Sequence, residues 1–297
     1  MVTSVPDVLT RIRSARDVAF GTYFLGRGPV RDALFEAASH GAHVAVTVQG
    51  DPYHDAAGVR ERATRDSAAL LEAAGARVTV LPSASAPFHL KAAVCDGIAY
   101  LDDRNWTRDA REIVLADDDA SDVALVRDAL AGHGGATPTL ATRKDGALAR
   151  EAELIDSARA TPVTVETETL GSGPLSAALR RHARAGAPTV LVVGRAHSHD
   201  RRQTTLLEGL RRDGVEVHER GVNEKLALAG DTAWIGSANG TSVFGPRAAQ
   251  IEWGLVTRER AVVAAVAAAL ARDAAPTRGG AACSSAARPA VAYAAPA

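Results

Sequence analysis

Apolar residues in this chain come in short continuous runs, separated by longer segments where they recur every three or four positions. Val44–Gln49 and Val190–Val193 are runs of the length expected for buried strands. Each is preceded by a helical stretch closed by a glycine, Gly41 or Gly186, because glycine readily takes the left-handed conformation past a helix end. Further upstream, strands over Ala19–Leu25 and Val163–Thr169 lead through Gly-X-Gly-Pro turns into those helices. Proline suits the first helical turn, where its fixed φ is already helical. Downstream come helices over about 56–74 and Arg201–Arg212, ended by Gly75 and Gly214, then strands over Arg77–Leu81 and Val215–His218, and then a hairpin. Strands alternating with helices predict an α/β sandwich around a mixed sheet.

The same pattern occurs twice. Gly28 to Gly41 and Gly173 to Gly186 are both 13 residues, and Gly50/Gly194 and Asp55/Asp200 keep an offset of 144 or 145. The expected organisation is two similar α/β halves, 1–135 and 145–272, joined by the Gly- and Pro-containing stretch 131–140. Asp145 is the expected N-cap of the helix that opens the second half. Residues 275–297, rich in Ala, Pro, Gly and Ser without periodicity, are expected to form a disordered tail.

Composition narrows the function classes. Lys and Arg number 34 against 35 Asp and Glu, for a net charge of −1. That balance argues against a generic charge-driven nucleic-acid binder. Aromatics at 4% argue against base-stacking platforms. Two cysteines, Cys95 and Cys283, exclude a disulfide scaffold. No secretory signal is visible, and no run approaches the ~18–20 apolar residues of a membrane span. The Ala/Val run at 261–271 sits between Arg258, Arg260 and Arg272 and reads as a packed helix. The expected compartment is the cytoplasm.

Chemistry concentrates in the two hairpins. The first carries His89-x-Lys91, the turn Asp96-Gly97, and Asp102-Asp103-Arg104-Asn105. The second carries Asn223-x-Lys225, the turn Gly230-Asp231, and Gly236-Ser237-Ala238-Asn239. Lys to Asn spans 14 residues in both. Residues i and i+2 of a strand face one side, so His89 and Lys91 emerge together while Asn105 approaches on the neighbouring strand. A nucleophile, a cation and an amide donor then share one small volume, a set suited to a phosphoryl group.

At these residues the chain resembles the phospholipase D superfamily, whose signature His-x-Lys-x4-Asp followed by Gly-Ser-x-Asn occurs twice. The resemblance covers about residues 5–272. It implies two like α/β halves with the site in the cleft between them, and a phosphodiesterase or phosphatidyltransferase that needs no metal or other cofactor. By that likeness His89 attacks phosphorus to form a phosphohistidine, Lys91 and Lys225 hold the non-bridging oxygens, and Asn105 and Asn239 donate further hydrogen bonds. Asp96, Asp103 and Ser237 fall on phosphate-binding or orienting positions. Glu112 and Glu252 resemble the downstream acids that orient the histidines. The implied substrate is a phosphodiester. Net charge and few aromatics favour a phospholipid or small molecule over nucleic acid, which the family also includes.

The second motif departs from the family by placing Asn223 where the general-acid histidine belongs. An amide cannot deliver a proton near neutral pH. Asp102-Asp103 also replace Gly-Ser in the first hairpin, both hairpins are one residue short, and Asp96 is matched only by the misaligned Asp231. Three readings of Asn223 stay open: a leaving group acidic enough to depart unaided, a substitute among His218, His54, His197 and His199, or a catalytically silent cleft that binds a phosphate ligand. His197-Ser-His199-Asp200 also fits a metallohydrolase loop. Simpler readings stand beside these: Glu112 and Glu252 as structural ion pairs, Trp106 and Trp234 as core residues, and Arg180-Arg181, Arg201-Arg202 and Arg211-Arg212 as solvated faces with at most a weak pull on phosphate.

Overall fold

The computed structural model describes residues 1–50, 55, 58–82, 88–107, 111–194, 201–241 and 248–275. The first half runs β1 (Val2–Thr3), α1 (Val5–Ser14), β2 (Asp17–Thr22), α2 (Pro29–Ser39), β3 (His43–Gln49), α3 (Val59–Ala73), β4 (Arg77–Leu81), β5 (Ala92–Cys95), β6 (Ile98–Asp102), β7 (Val114–Asp117) and α4 (Ala120–Leu130). The second runs β8 (Leu140–Arg143), α5 (Lys144–Ser157), β9 (Val163–Thr167), α6 (Pro174–Arg184), β10 (Thr189–Gly194), α7 (Arg201–Arg212), β11 (Glu216–Arg220), β12 (Leu226–Ala229), β13 (Thr232–Gly236), β14 (Ile251–Thr257) and α8 (Arg260–Ala274).

Each half builds a seven-stranded sheet, ordered β1-β7-β6-β5-β2-β3-β4 and β8-β14-β13-β12-β9-β10-β11. The order is the same, strand for strand. β2, β3 and β4 are parallel, as are β9, β10 and β11, and the other pairings are antiparallel. This is the duplicated α/β architecture that the sequence predicts.

Strand alternation decides which surface faces which layer. Ala92 and Val94 of β5 and Ala99 and Leu101 of β6 join a core shared with Leu226 of β12, Ala233 and Ile235 of β13, Trp253 of β14 and helices α4 and α8. Ala93, Cys95 and Tyr100 turn outward onto α1 and α2, and Ala227, Ala229 and Trp234 turn onto α5, α6 and α7. Trp234 and Trp106 are accordingly buried core residues. The halves are stitched together by the Phe88–Ile251 bridge, by His89 N–H donating to the Ile251 carbonyl at 2.9 Å, and by Trp253 Nε1 donating to the Asp102 carbonyl at 3.0 Å.

Two local expectations shift. The second sheet already takes up Leu140–Arg143, ahead of the expected start at 145. Arg143, with extended φ and ψ, is the N-cap of α5, and Asp145 lies inside its first turn, where its carboxylate accepts the Gly146 N–H at 2.8 Å. The 261–271 run lies within α8, and no described helix is long and apolar enough to cross a membrane. Residues 276–297, and so Cys283 and almost all of the expected tail, lie outside the described residues.

Candidate functional site

His89 and Lys91 lead into β5, while the intervening Leu90 enters the shared core. The two side chains therefore leave on one face, as the i, i+2 spacing requires. Glu252 of β14 reaches across from the second half and meets His89 Nδ1 at 2.9 Å through Oε1. With its proton on Nδ1 facing Glu252, the ring turns the Nε2 lone pair to Lys91. Tyr23, just past β2, packs edge-on against the imidazole with ring centroids 4.7 Å apart. Lys91 Nζ lies 2.6 Å from Nδ1 and 3.0 Å from Nε2.

Electrostatics follow from this crowding. Burial first, then the Lys91 charge, lower the His89 pKa to about 4, against the pull of Glu252. The imidazole is thus neutral at ordinary pH. Burial also depresses Lys91 to about 7; Lys225 pushes the same way, while Glu252, Asp102 and Glu168 oppose it. Lys91 and Lys225, buried residues of opposite halves, therefore stand within electrostatic reach of each other. Burial works against ionising Glu252, but Lys144, His89 and Lys91 outweigh it and hold this carboxyl below the ordinary range.

The second motif is arranged differently. Lys225 Nζ donates to the Asn223 backbone carbonyl at 2.5 Å and to its side-chain Oδ1 at 3.0 Å. Asn223 is thus turned onto its own lysine. Glu168, which follows β9, places Oε2 3.8 Å from Lys225 Nζ and 3.3 Å from Asn239 Nδ2, whose N–H it accepts. Glu224 faces away from the lysine toward the first half, with Oε1 3.8 Å from Arg104 and 3.7 Å from Arg111.

Several residues expected at the site have other positions. Asp96 stands at the far end of the β5–β6 hairpin, with φ +47°, where it accepts the N–H groups of Arg16 and Asp17, both at 3.0 Å. It lies five positions along the strand from Lys91, roughly 16 Å at ~3.3 Å per step. Ser237 Oγ is buried and accepts the Trp253 N–H. Asp103, its counterpart in the repeat, accepts the Ile113 N–H at 3.0 Å through Oδ1. Burial raises Asp103 to about 7, and Lys225 is the largest opposing influence. Asp102, pushed well up by burial and then by Glu112 and Asp103, accepts the Trp106 N–H. Glu112 binds the Thr107 N–H at 2.7 Å. Asn105 is exposed just beyond this buried run.

Of the substitute acids, His218 lies on the edge strand β11, where it pairs with Glu216 at 2.8 Å and is separated from β12 by β10 and β9. His54, His197, His199 and Asp200, and with them the metallohydrolase loop, fall outside the described residues. Among the described residues one acid cluster has metal-like spacing: oxygens of Glu166, Glu224 and Asp273 within 4.8 Å of one another. Burial, then a hydrogen bond and the charge of Glu224, raise Glu166 to about 9, and Arg104, Arg111 and Arg272 surround the group. This arrangement fits two carboxyls sharing a proton amid compensating guanidinium groups better than a vacant cation site. Of the arginine pairs, Arg181 and Arg211 are held by Asp156 and Glu219, while Arg180, Arg201 and Arg202 line a groove of about 460 Å³ on α6 and α7.

Sequence reasoning missed three nearby groups: Tyr23, Glu168 and Lys144. Tyr23 and Glu168 share a hidden signal. Both follow the threonine that ends a matched strand, Thr22 or Thr167, and each threonine hydroxyl bonds the carbonyl two residues on. Lys144, at the start of α5, donates to the Thr241 hydroxyl at 2.7 Å.

No family model and no curated protein matches the sequence. Among solved structures, polyphosphate kinase from Porphyromonas gingivalis aligns with TM-score 0.60 and 16% identity over 86% of this chain and 46% of its own. The chain thus spans about half the length of that protein. Nuc from Salmonella typhimurium, a phospholipase D family member, aligns at 0.36 and 15% over 45% of this chain and 91% of its own. NucT from Helicobacter pylori aligns at 0.35 and 20% over 43% and 85%. At such identities the likeness is one of architecture alone, and the duplicated two-sheet arrangement described above is the fold that this chain shares with the polyphosphate kinase.

Proposed function

We propose that this chain catalyses phosphoryl-centred displacement on a phosphodiester, by way of a phosphohistidine on His89. The observation that carries this reading is the His89 imidazole met at Nδ1 by Glu252, with Lys91 beside it and Lys225 of the other half within electrostatic reach. Neutral His89 presents the Nε2 lone pair to phosphorus, and Glu252 stabilises the positive charge that develops on the ring. Lys91 and Lys225 supply charge-assisted donors to the non-bridging oxygens, with Asn239 and Asn105 at the rim. The first displacement releases an alcohol, and water or a second alcohol then takes the phosphoryl group. The chain's own cations fill the charge-neutralising role, so turnover is expected to persist in EDTA. A phospholipid or small phosphodiester is the favoured substrate on net charge and aromatic content, and nucleic acid is the alternative. The compartment expected is the cytoplasm.

A second reading, a silent phosphate-binding cleft, draws on Asn223, whose side chain is occupied by Lys225. One experiment separates the two. With an aryl phosphodiester, the wild type is expected to form an acid-labile phosphoryl adduct on His89, visible by mass spectrometry of quenched enzyme. The His89→Ala variant should form none and lose turnover by about 10⁴-fold or more. Equal rates in the two proteins would remove His89 from the chemistry. Ligand binding without an adduct would favour the silent cleft.

A further inference from the structure

The reaction lacks a proton donor for the leaving oxygen, since Asn223 occupies the second histidine position and spends its side-chain oxygen on Lys225. The surrounding acids are mostly committed. Glu252 holds His89, Glu224 faces Arg104 and Arg111, and Asp103 is fully buried with Oδ1 on the Ile113 N–H. Glu168 differs from all of them. Its side chain is one-third exposed (33%), yet it touches both Lys225 and Asn239 and acts electrostatically on Lys91 of the other half.

The backbone around Glu168 is firmly placed. Gly240 N–H donates to Thr167 Oγ1 at 3.0 Å, Gly171 N–H donates to the Gly240 carbonyl at 2.9 Å, and Leu170 pairs with Gly240. A side chain at Gly240 would meet Leu175 at 2.7 Å, so the close approach of these two segments depends on that glycine. The duplication supports the same placement: Glu168 matches Tyr23 at the 145-residue offset, and Tyr23 packs on His89. Each half therefore sets this position beside one of the two lysines, Tyr23 by Lys91 and Glu168 by Lys225.

We propose that Glu168 is the general acid–base of the second half, replacing the histidine that Asn223 lacks. This rests on the phosphohistidine reading above. In the first step, His89 Nε2 forms the P–N bond, and the P–O bond breaks with its electron pair on the leaving oxygen. That oxygen takes the Glu168 carboxyl proton, giving an alcohol and a carboxylate. In the second step, water oxygen bonds to phosphorus, one water proton returns to Glu168, and the P–N electron pair returns to Nε2.

The test compares Glu168→Gln with wild type on an aryl and a dialkyl phosphodiester. The aryl group leaves without protonation, so the variant is expected to release a burst of about one aryl alcohol per site at a rate within about threefold of wild type. Water attack still needs a base, so steady-state turnover after the burst falls. On the dialkyl ester the first step itself should fall by on the order of 10²–10⁴-fold. Adding Asn223→His to the Glu168→Gln protein should recover much of that loss, whereas in the wild-type background the same change should gain less than about tenfold. Equal slowing of the first step on both esters would make Glu168 merely a support for Lys225 and overturn the proposal, as would unchanged rates on both. Failure of the phosphohistidine reading looks different: the wild type itself would give no adduct, before any change at Glu168.

Discussion

In the first half, the residue two positions before the lysine is an imidazole gripped by an acid from the opposite half. In the second, it is an amide folded back onto its own lysine, and the adjoining acid, Glu224, is drawn to arginines of the first half. The strand order is the same and the 14-residue Lys-to-Asn spacing is the same, yet one hairpin carries an imidazole held by the opposite half and the other an amide bound to its own lysine. Duplication thus preserves the frame and the two cations, while the residue two positions before each lysine differs in chemistry.

The largest effect that would test this asymmetry is expected from Glu252→Gln. An amide facing Nδ1 can stabilise the wrong tautomer, and the loss in kcat/KM should approach about 10⁴-fold, the scale of a carboxylate-to-amide change behind a catalytic histidine. Stopped-flow release from an aryl phosphodiester would measure it, and a loss under tenfold would detach Glu252 from the nucleophile. Next come Lys91→Met and Lys225→Met, each expected to lower kcat/KM by about 10²–10³-fold. If only one of them did so, the two halves would not share the phosphoryl group.

The pH profile with the same aryl ester probes the first half alone. Attack requires neutral His89, which is present above a pKa of about 4, and phosphate binding requires charged Lys91, which is present below about 7. The kcat/KM curve should therefore rise through about pH 4 and fall through about pH 7. An acid limb near the ordinary histidine value of 6.5 would contradict a neutral buried imidazole.

The smallest effect concerns stability beneath the second half. Glu166, at about 9 in the folded chain against an ordinary 4.5, binds its proton more tightly when folded. Its contribution is fully present below the ordinary value and is lost as pH rises through about 9. The neutral mimic Glu166→Gln does not titrate, so its melting temperature should decline less between pH 6 and 9. The difference is expected to be a few degrees, on the scale of ~2–4 °C per kcal/mol. Parallel decline would place the shared proton elsewhere.

Much of the frame was legible because glycine and proline punctuate it. Turns that need φ > 0, at Gly41 and Gly186 or Gly75 and Gly214, recur at matched spacing, and the strands between them are short continuous apolar runs. The pairing of His89 with Lys91 was legible from strand periodicity. The partner of His89 was not: that Glu252 rather than Glu112 reaches it depends on how two sheets meet over Phe88 and Ile251, which no local spacing encodes. Asp96 misled for the opposite reason. It belongs to the motif in sequence, but a strand's rise carries it to the far turn, where backbone N–H groups occupy it. Glu168 went unnoticed because its counterpart, Tyr23, differs in chemistry and only the register relates them.

The sheets meet through one continuous apolar layer, with Trp253 Nε1 fastened to the Asp102 carbonyl across the seam. Separating the lobes would strip Leu101, Ile235 and Trp253 of their packing all at once. Calorimetry should accordingly record a single cooperative endotherm, and neither lobe expressed alone should reach a native state without the other as its template.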